Sequence, residues 1–209
     1  MNTSRSGSGT TTQIDLLRHG ECEGGEIFRG STDVALSPEG LARMQRHADT
    51  VNEEWESIFT SPLIRCRHFA ETIADKLNVP ISVDERLREM HFGEWEGQVV
   101  TDIFQNDRER MSAWGKDPES NPPPGGEPLN EVHQRVSAFL SDIQETQKGR
   151  KVLVVTHGGV IRVALSQVLS MPLIALNKFE VPYACVSRVA HFQSPSRETL
   201  KLLAHNWVS

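Results

Sequence analysis

The sequence is poor in several features that would point to particular classes of protein. Its three cysteines, Cys22, Cys66 and Cys185, are too few and too far apart for a disulfide framework or a zinc site with closely spaced ligands. No apolar run approaches the roughly 18 residues that a membrane-spanning helix needs, and the first residues form no secretory signal. We therefore expect a protein of the reducing cytoplasm that does not enter a membrane.

The chain also lacks an excess of positive charge, since 22 Lys and Arg residues face 28 Asp and Glu residues, a formal net charge of −6. Nucleic acids and anionic membranes both attract proteins through positive surfaces, so we expect neither as a partner. The eight histidines are scattered and show no HExxH-like spacing, which argues against a bound metal. An anionic small molecule would need a local cluster of cations. The sequence leaves the oligomeric state open.

The length and composition fit one globular domain. The 209 residues are 37% hydrophobic and 24% charged, which is close to the average for folded domains. The first twelve residues, MNTSRSGSGTTT, are small and polar. They predict a disordered tail over residues 1–12, followed by a single domain over residues 13–209.

Short apolar runs alternate with helical patterns along most of the chain. The predicted strands are 13–17, 56–60, 79–83 and 151–156, with helices that begin near residues 38 and 62. This alternation predicts a three-layer α/β/α fold with a mostly parallel central sheet. Residues 90–150 predict a small helical insertion over the carboxyl ends of the strands. Segments 181–192 and 199–205 predict a final pair of strands at a sheet edge.

Two histidines directly follow predicted strands. Arg18-His19-Gly20-Glu21 follows the first strand, and His157-Gly158-Gly159 follows the strand 151–156. Open α/β sheets place their ligands at the carboxyl ends of the strands, so we expect both histidines at one edge. The helix after His157 would direct its N-terminus, which attracts anions, toward the same place. Either motif alone arises by chance, but the pair favours a shared anion site.

Arg65 and Glu89 are the other candidate site residues. Thr60-Ser61-Pro62 leads from a strand end into a helix that would bring Arg65 to the same edge, where a guanidinium can hold two phosphate oxygens. Glu89 follows the third strand and would place a carboxylate beside these cations. Taken singly, Arg65 could equally be a solvated helix arginine, and Glu89 a surface carboxylate.

Five motifs follow one another along the chain: LLRHGE, TSPLIRC, LREMHFGEWEG, PPPGGEP and VVTHGGVIR. With them, residues 13 to 205 resemble the phosphoglycerate mutase-like branch of the histidine phosphatase superfamily. By this resemblance His19 is the catalytic nucleophile that carries the phosphoryl group, and Glu89 is the proton donor. The phosphate would be held by Arg18, Arg65 and His157, of which His157 also counts as catalytic. The resemblance implies no metal and no other cofactor.

Within this branch, the size of the chain and the stretch LSMPLIALNKFEVPYACVSRV are similar to the α-ribazole phosphatases of cobalamin biosynthesis. The resemblance therefore implies a phosphatase that hydrolyses α-ribazole 5'-phosphate. Two positions depart from the family pattern. Gly25 stands where an asparagine often helps to bind phosphate, and Pro128 replaces a common serine. We expect the first departure to loosen the anion pocket and the second to affect only its own loop.

The implied mechanism makes specific demands on these residues. A histidine attacks phosphorus only through a nitrogen with a lone pair, so His19 must be neutral and its other nitrogen held by a hydrogen bond. Positive charge on Arg18, Arg65 and His157 would stabilise the transition state without a metal. Glu89 would protonate the leaving oxygen and then accept a proton from the attacking water.

Other functions remain open at this point. A phosphoglycerate mutase would use the same phosphohistidine but return the phosphoryl group to a bound intermediate, and a broad-specificity sugar phosphatase would differ in its pocket walls. A non-catalytic phospho-ligand binding module should lack the nucleophile, the anion clamp or the acid, and none is missing. We expect Glu94 and Glu96 at the pocket mouth, where they would repel a second phosphate and favour a monoester with a neutral distal part.

Overall fold

The computed structural model describes residues 9–51 and 54–207, so residues 1–8 of the predicted tail lie outside the described part. The strands are β1 (Thr10–Arg18), β2 (Ser57–Thr60), β3 (Ile81–Val83), β4 (Lys151–Thr156), β5 (Val186–Ser194) and β6 (Arg197–Trp207). The helices are α1 (Pro38–Val51), α2 (Ile64–Leu77), α3 (Val100–Asn106), α4 (Arg108–Lys116), α5 (Leu129–Thr146) and α6 (Gly158–Val168). Short 3-10 helices occupy Glu85–Leu87, Gly93–Trp95 and Leu173–Lys178.

The six strands form one sheet in the order β3-β2-β4-β1-β5-β6. Strands β3, β2, β4 and β1 are parallel to one another. Strand β5 runs antiparallel to β1 and forms an antiparallel hairpin with β6 at the edge of the sheet. The predicted mostly parallel sheet is confirmed. Residues 10–12, predicted as tail, belong instead to β1, because the pairing from Thr10↔Gln193 extends the strand beyond its apolar run.

Helices cover both faces of the sheet. Along β4, Val152 and Val154 pack in one hydrophobic cluster with α5 and α6, whereas Leu153 and Val155 pack in a second cluster with α1 and α2. Successive side chains of a strand point to opposite faces, so a strand buried on both sides is apolar throughout. This arrangement confirms the three-layer α/β/α class.

The segment predicted as a helical insertion has two parts. Helices α3 and α4 lie over an aromatic cluster that includes Phe28, Trp95 and Trp114, at the end of the sheet where the candidate site lies. Helix α5 instead packs on the sheet through side chains such as Val136 and Phe139. Residues 129–146 are therefore part of a flanking layer rather than an overhang. None of the helices described here is long and apolar enough to span a membrane.

Candidate active site

His19 lies immediately after β1 and is almost completely buried, with 4% of its surface exposed. Its backbone N–H donates to the Thr156 carbonyl at 2.9 Å, which joins the end of β1 to the end of β4. The following loop lies against α1, since a Cβ on Gly20 would collide with the backbone of Gly40. These close backbone contacts fix the position of the His19 ring.

The hydrogen bonds of His19 determine its tautomer. Nδ1 lies 2.7 Å from the Gly20 carbonyl oxygen, and because a carbonyl can only accept, Nδ1 must carry the hydrogen. Burial, reinforced by the positive charges of Arg65 and Arg18, holds the pKa of His19 well below its ordinary value. A neutral ring with hydrogen on Nδ1 keeps a lone pair on Nε2, as a nucleophile requires.

His157 follows β4 and its ring centroid lies 5.2 Å from that of His19. Its Nδ1 accepts a hydrogen bond from Arg65 Nε at 3.3 Å, and its Nε2 lies 2.7 Å from the Ser61 hydroxyl. Burial and then the charge of Arg65 hold the pKa of His157 well below its ordinary value. The expectation that His157 contributes positive charge is therefore wrong for the structure as it stands. His157 is a neutral hydrogen-bonding group.

Arg65, on the first turn of α2, is completely buried. Four of its donor positions are occupied: Nε bonds His157, Nη1 bonds the Thr32 carbonyl at 2.9 Å, and Nη2 bonds the carbonyls of Arg29 at 3.0 Å and Gly30 at 2.8 Å. A guanidinium has five N–H groups, so one remains for another partner. Arg65 is not a solvated helix arginine. It organises the loop 29–32 beside His157.

Arg18 extends from the last residue of β1 across the edge of the sheet. Its guanidinium lies 3.9 Å from the centre of the Tyr183 ring, and its Nη1 donates to the Val181 carbonyl. Arg18 Nε is buried without a hydrogen-bond partner among the described residues. A Cβ on Gly158 would lie only 3.2 Å from this nitrogen, so the N-terminus of α6 and Arg18 are in close contact.

Glu89 contacts the N-terminus of the same helix, α6. Its Oε2 accepts from the Gly159 N–H at 3.1 Å, and its Oε1 accepts from the Met90 N–H at 3.0 Å. The segment before it is held on β4, because the Thr156 hydroxyl donates to the Leu87 carbonyl at 2.8 Å. A Cβ on Gly159 would collide with the Glu89 carboxylate, so only glycine fits this position without displacing the carboxylate.

A cavity of about 190 Å³ opens beside these groups. Its walls combine the polar groups of Arg18, Glu89 and Arg162 with aromatic and apolar side chains of α4, α5, the 3-10 helix Leu173–Lys178 and the segment 90–92. These apolar walls come from Met90, Phe92, Trp114, Leu129, Val132 and Leu176. The structure therefore brings all five predicted site residues to one edge of the sheet. Arg18 and Glu89 line the cavity, whereas His19, Arg65 and His157 lie outside its lining.

The acidic residues expected at the pocket mouth lie elsewhere. Glu96 turns inward and accepts hydrogen bonds from the backbone of Ser31 at 2.9 Å and Phe92 at 2.9 Å, and from the Thr32 hydroxyl at 2.6 Å. Glu94 is exposed and lies 3.4 Å from Arg110. Neither lines the cavity. The predicted repulsion of a second phosphate by Glu94 and Glu96 is thus not supported.

Four residues near the site were not predicted from the sequence. Ser61 lies beside His157, Tyr183 lies beneath Arg18, Arg162 lines the cavity, and Arg29 is buried in the loop after His19. Arg162 lies four residues after Gly158 in α6, a helical spacing that places both on one face and could have indicated it. Nothing in the sequence around Arg29 or Tyr183 distinguishes them from surface residues.

The two departures from the family pattern have different surroundings. Gly25 has a φ of +72°, and a Cβ there would meet no atom within 4 Å, so this loop has open space. Pro128 caps α5 through its carbonyl, which accepts from the Glu131 N–H at 3.0 Å, and it offers no side-chain oxygen to the helix. No group of three or more potential metal ligands occurs in residues 9–51 and 54–207.

Comparison with known proteins agrees with this geometry. A family model described as "Histidine phosphatase superfamily (branch 1)" matches residues 14–204. The chain belongs to this superfamily. The "Adenosylcobalamin/alpha-ribazole phosphatase" of Escherichia coli (strain K12) is 30% identical over 177 residues, which cover 83% of this chain and 87% of that protein. As a histidine phosphatase, the chain is a hydrolase of phosphate esters.

Other histidine phosphatases match over similar lengths. The "Probable phosphoglycerate mutase GpmB" of Serratia proteamaculans (strain 568) is 29% identical, and the match covers 94% of this chain and 90% of that protein. The crystal structure of the alpha-ribazole phosphatase from Shigella flexneri superposes with a TM-score of 0.77 at 27% identity, covering 93% of this chain and 96% of that one. Phosphatases and a mutase-named protein therefore both occur among the relatives.

Proposed function

We propose that this histidine phosphatase hydrolyses phosphomonoesters through a phosphohistidine on His19 and that α-ribazole 5'-phosphate is its substrate. The observation that carries the proposal is the buried, neutral His19 ring, whose Nδ1–H is donated to the Gly20 carbonyl at 2.7 Å. This bond leaves the Nε2 lone pair for attack on phosphorus. The leaving oxygen departs as the N–P bond forms, and water then breaks that bond to release phosphate.

The groups around His19 suit the transition state of phosphoryl transfer. Its charge spreads over the equatorial oxygens, so fixed donors stabilise it more than mobile ones. In the described part of the chain, Arg18 Nε has no hydrogen-bond partner and Arg65 has one uncommitted N–H. The amide groups at the N-terminus of α6 lie next to Arg18. His157 would act in this proposal as a neutral group that orients its neighbours, because its Nδ1 accepts from Arg65 and its Nε2 lies 2.7 Å from the Ser61 hydroxyl.

Glu89 is the proposed acid and base. It shares the cavity with Arg18, and its two hydrogen bonds to backbone N–H groups fix the position of the carboxyl group. In the first step it would give a proton to the leaving alcohol, and in the second it would take one from the attacking water. The first step transfers the phosphoryl group to His19 and the second hydrolyses the phosphohistidine, so Glu89 regains from water the proton that it gave to the alcohol.

The cavity walls support a nucleoside-like leaving group. Phe92 and Trp114 present aromatic surface, and the buried Trp114 Nε1 has no hydrogen-bond partner among the described residues. A heteroaromatic base could pack against these rings while an acceptor atom meets the indole N–H. The relatives named as alpha-ribazole phosphatases support the same substrate class. We also propose a cytoplasmic location, in keeping with three buried free cysteines.

One observation favours the alternative of a phosphoglycerate mutase or a broad-specificity sugar phosphatase. Arg162 lines the cavity, its Nε is buried without a described partner, and its Nη2 lies 3.7 Å from the exposed Glu180. Such a guanidinium could bind a carboxylate or a sugar hydroxyl on the substrate. The relative named as a mutase points in the same direction.

The test is a panel of phosphomonoesters assayed for phosphate release. We expect kcat/KM for α-ribazole 5'-phosphate to exceed the values for 3-phosphoglycerate and 2,3-bisphosphoglycerate at least about tenfold, about 1.4 kcal/mol of transition-state binding. Equal or faster turnover of the phosphoglycerates would refute the proposed substrate. Interconversion of 2- and 3-phosphoglycerate without phosphate release would establish the mutase instead.

A further inference from the structure

Arg18 is held in place by the segment that leads into β5. Its Nη1 donates to the Val181 carbonyl, and its guanidinium carbon lies 3.9 Å from the centre of the Tyr183 ring. Both of these partners are uncharged, and Arg18 Nε has no hydrogen-bond partner among the described residues. The proposed mechanism uses Arg18 but assigns no role to Tyr183.

The Tyr183 ring also lies next to the nucleophile. Its centroid is 5.6 Å from that of the His19 ring, and the two ring planes are inclined by 51°. This separation is within the range at which aromatic rings interact. Tyr183 therefore packs against Arg18 and His19 at once, so a change in its ring acts at the centre of the site.

The backbone next to Tyr183 is in an unusual conformation. Ala184 has a φ of +58°, a left-handed conformation that residues other than glycine rarely adopt. Contacts on both sides hold it there. The Ala184 N–H donates to the His19 carbonyl at 3.1 Å, and the Ala184 carbonyl accepts from Nδ1 of the buried His47. Strained positions of this kind cluster at functional sites. The turn at Ala184 joins the Tyr183 segment to the backbone of the nucleophile.

We propose that Tyr183 is a positioning residue of the active site, whose ring face holds the Arg18 guanidinium by a cation–π interaction in the orientation that binds the phosphoryl group. The inference rests on the proposed function, because it takes the ligand of Arg18 to be phosphate. The contact is attractive because the face of an aromatic ring carries negative potential. Tyr183 acts through Arg18 rather than by contact with the substrate.

An aromatic ring suits this task better than an acidic side chain. A carboxylate paired with Arg18 would neutralise its charge and occupy two of its N–H groups, as bidentate pairs do. The face of a ring occupies none of them. Within the described part of the chain, Val181 alone accepts a hydrogen bond from the Arg18 side chain. The guanidinium thus keeps its full charge and most of its five N–H groups for a ligand.

The first measurement tests the contact itself. It follows the Arg18 Nε–H signal by NMR in the unmodified protein, Tyr183→Phe and Tyr183→Leu, and the signal is identified by its absence in Arg18→Lys. A proton held over an aromatic face carries a ring-current shift. We expect this shift to persist in Tyr183→Phe, which keeps the ring, and to disappear in Tyr183→Leu, which keeps only apolar volume.

The second measurement tests the role of the contact. The Kd of inorganic phosphate is measured by calorimetry, without turnover, for the same proteins. We expect Tyr183→Phe to stay within about twofold of the unmodified Kd and Tyr183→Leu to raise it at least about fivefold, in keeping with the loss of one cation–π contact.

A graded series separates the potential of the ring from its packing. Phenylalanine analogues with one, two or three ring fluorines at position 183 keep the shape of the ring and progressively weaken the negative potential of its face. The Kd of phosphate should rise with each fluorine added. Phe192→Leu is the matched control, because Lys201 Nζ lies 5.3 Å from the centre of the Phe192 ring, a cation–π pair in the edge hairpin. Its Kd should match that of the unmodified protein.

Three results would overturn the inference. An unchanged Arg18 signal in Tyr183→Leu would refute the contact. A Kd that stays constant along the fluorinated series, whether or not Tyr183→Leu folds, would show that the ring only fills space. A loss of phosphate binding in Tyr183→Phe as large as that in Tyr183→Leu would assign the effect to the hydroxyl instead of the ring face.

Failure of the inference is distinguishable from failure of the proposed function. The phosphomonoester panel tests hydrolysis by the unmodified protein, whereas the NMR signal and the phosphate Kd need no turnover. If hydrolysis is absent but both measurements respond to the ring as expected, the inference stands and the catalytic proposal falls. If hydrolysis proceeds but either measurement fails to respond, the reverse holds.

Discussion

Substituting Gly159 by alanine should displace the carboxylate of Glu89, the proposed acid, and leave the other site residues in place. The added Cβ would collide with the Glu89 carboxylate, which accepts from the Gly159 N–H at 3.1 Å. The carboxylate must therefore move by an amount on the order of 1 Å. Gly159 does not have a positive φ, so alanine fits the local backbone, and we expect the folding stability to change by no more than about 1 kcal/mol.

The size of the effect follows from the role of Glu89. Misplacing a catalytic group by about 1 Å costs on the order of 10²-fold, and general acid catalysis contributes 10²- to 10⁴-fold. We expect a loss of about 100-fold in kcat/KM for an alkyl phosphate such as α-ribazole 5'-phosphate, about 2.7 kcal/mol in transition-state energy. Hydrolysis of p-nitrophenyl phosphate should fall by less than about fivefold, because p-nitrophenolate leaves without a proton.

The comparison must use kcat/KM, which reports steps up to the first irreversible one, the transfer of the phosphoryl group to His19. The later attack by water, in which Glu89 would act as a base, therefore does not affect the measured kcat/KM. Gly115→Ala is the matched control, because a Cβ there would meet no atom within 4 Å. Equal losses of kcat/KM on both esters would refute the acid role of Glu89. An unchanged kcat/KM on the alkyl ester would refute the prediction that the added Cβ displaces the Glu89 carboxylate.

Four further predictions test other parts of the site. His19→Ala should abolish both turnover and the acid-labile phosphoenzyme, and a folded, active variant would end the phosphohistidine assignment. Arg65→Ala should lower the free energy of unfolding by at least about 3 kcal/mol, because it leaves three loop carbonyls without their donor. A melting temperature close to that of the unmodified protein would contradict this. Folding stability should fall as the pH drops below the ordinary histidine value of 6.5, because the unfolded chain then protonates while the lowered pKa of His19 and of His157 keeps the folded rings neutral. Urea titrations that show no loss between about pH 6.5 and 5.5 would argue against buried neutral rings. Activity should survive exhaustive chelation, since side chains and a helix terminus supply the charge, and loss that a divalent ion restores would indicate a metallophosphatase.

The features best predicted from the sequence are those that a local residue pattern determines. Strand β4 (Lys151–Thr156) has the predicted bounds because it is apolar on both faces, and α1 begins at Pro38 as its capping pattern indicates. The expectation that His19 and His157 lie at one edge of the sheet is confirmed, because each follows a parallel strand and the carboxyl ends of such strands meet at one edge. These inferences need only the period of the pattern and the topology of the sheet.

Reasoning failed where the direction of a side chain depends on distant partners. Glu96 was expected to face a ligand, but the backbone N–H groups of a loop more than 60 residues earlier turn it inward. The Glu96 carboxylate thereby holds loop 29–32 next to Arg65. The guanidinium of Arg65 donates to backbone carbonyls of the same loop. Hydrogen-bond partners so far apart in sequence leave no local signal, so neither interaction could be predicted.

These two interactions together suit an acidic chain to the anion binding that the proposed function requires. Glu96 pairs with backbone N–H groups of loop 29–32, and Arg65 pairs with backbone carbonyls of the same loop. Arg65 and the nearby Arg29 are therefore partnered by uncharged backbone oxygens, and in the described structure neither forms an ion pair within the site. The positive charges of Arg65 and Arg29 both help to lower the pKa of His19 and so favour its neutral form. Under the proposed function, a phosphate would meet positive charge at this site on a protein of net charge −6, and the attraction would be local rather than global.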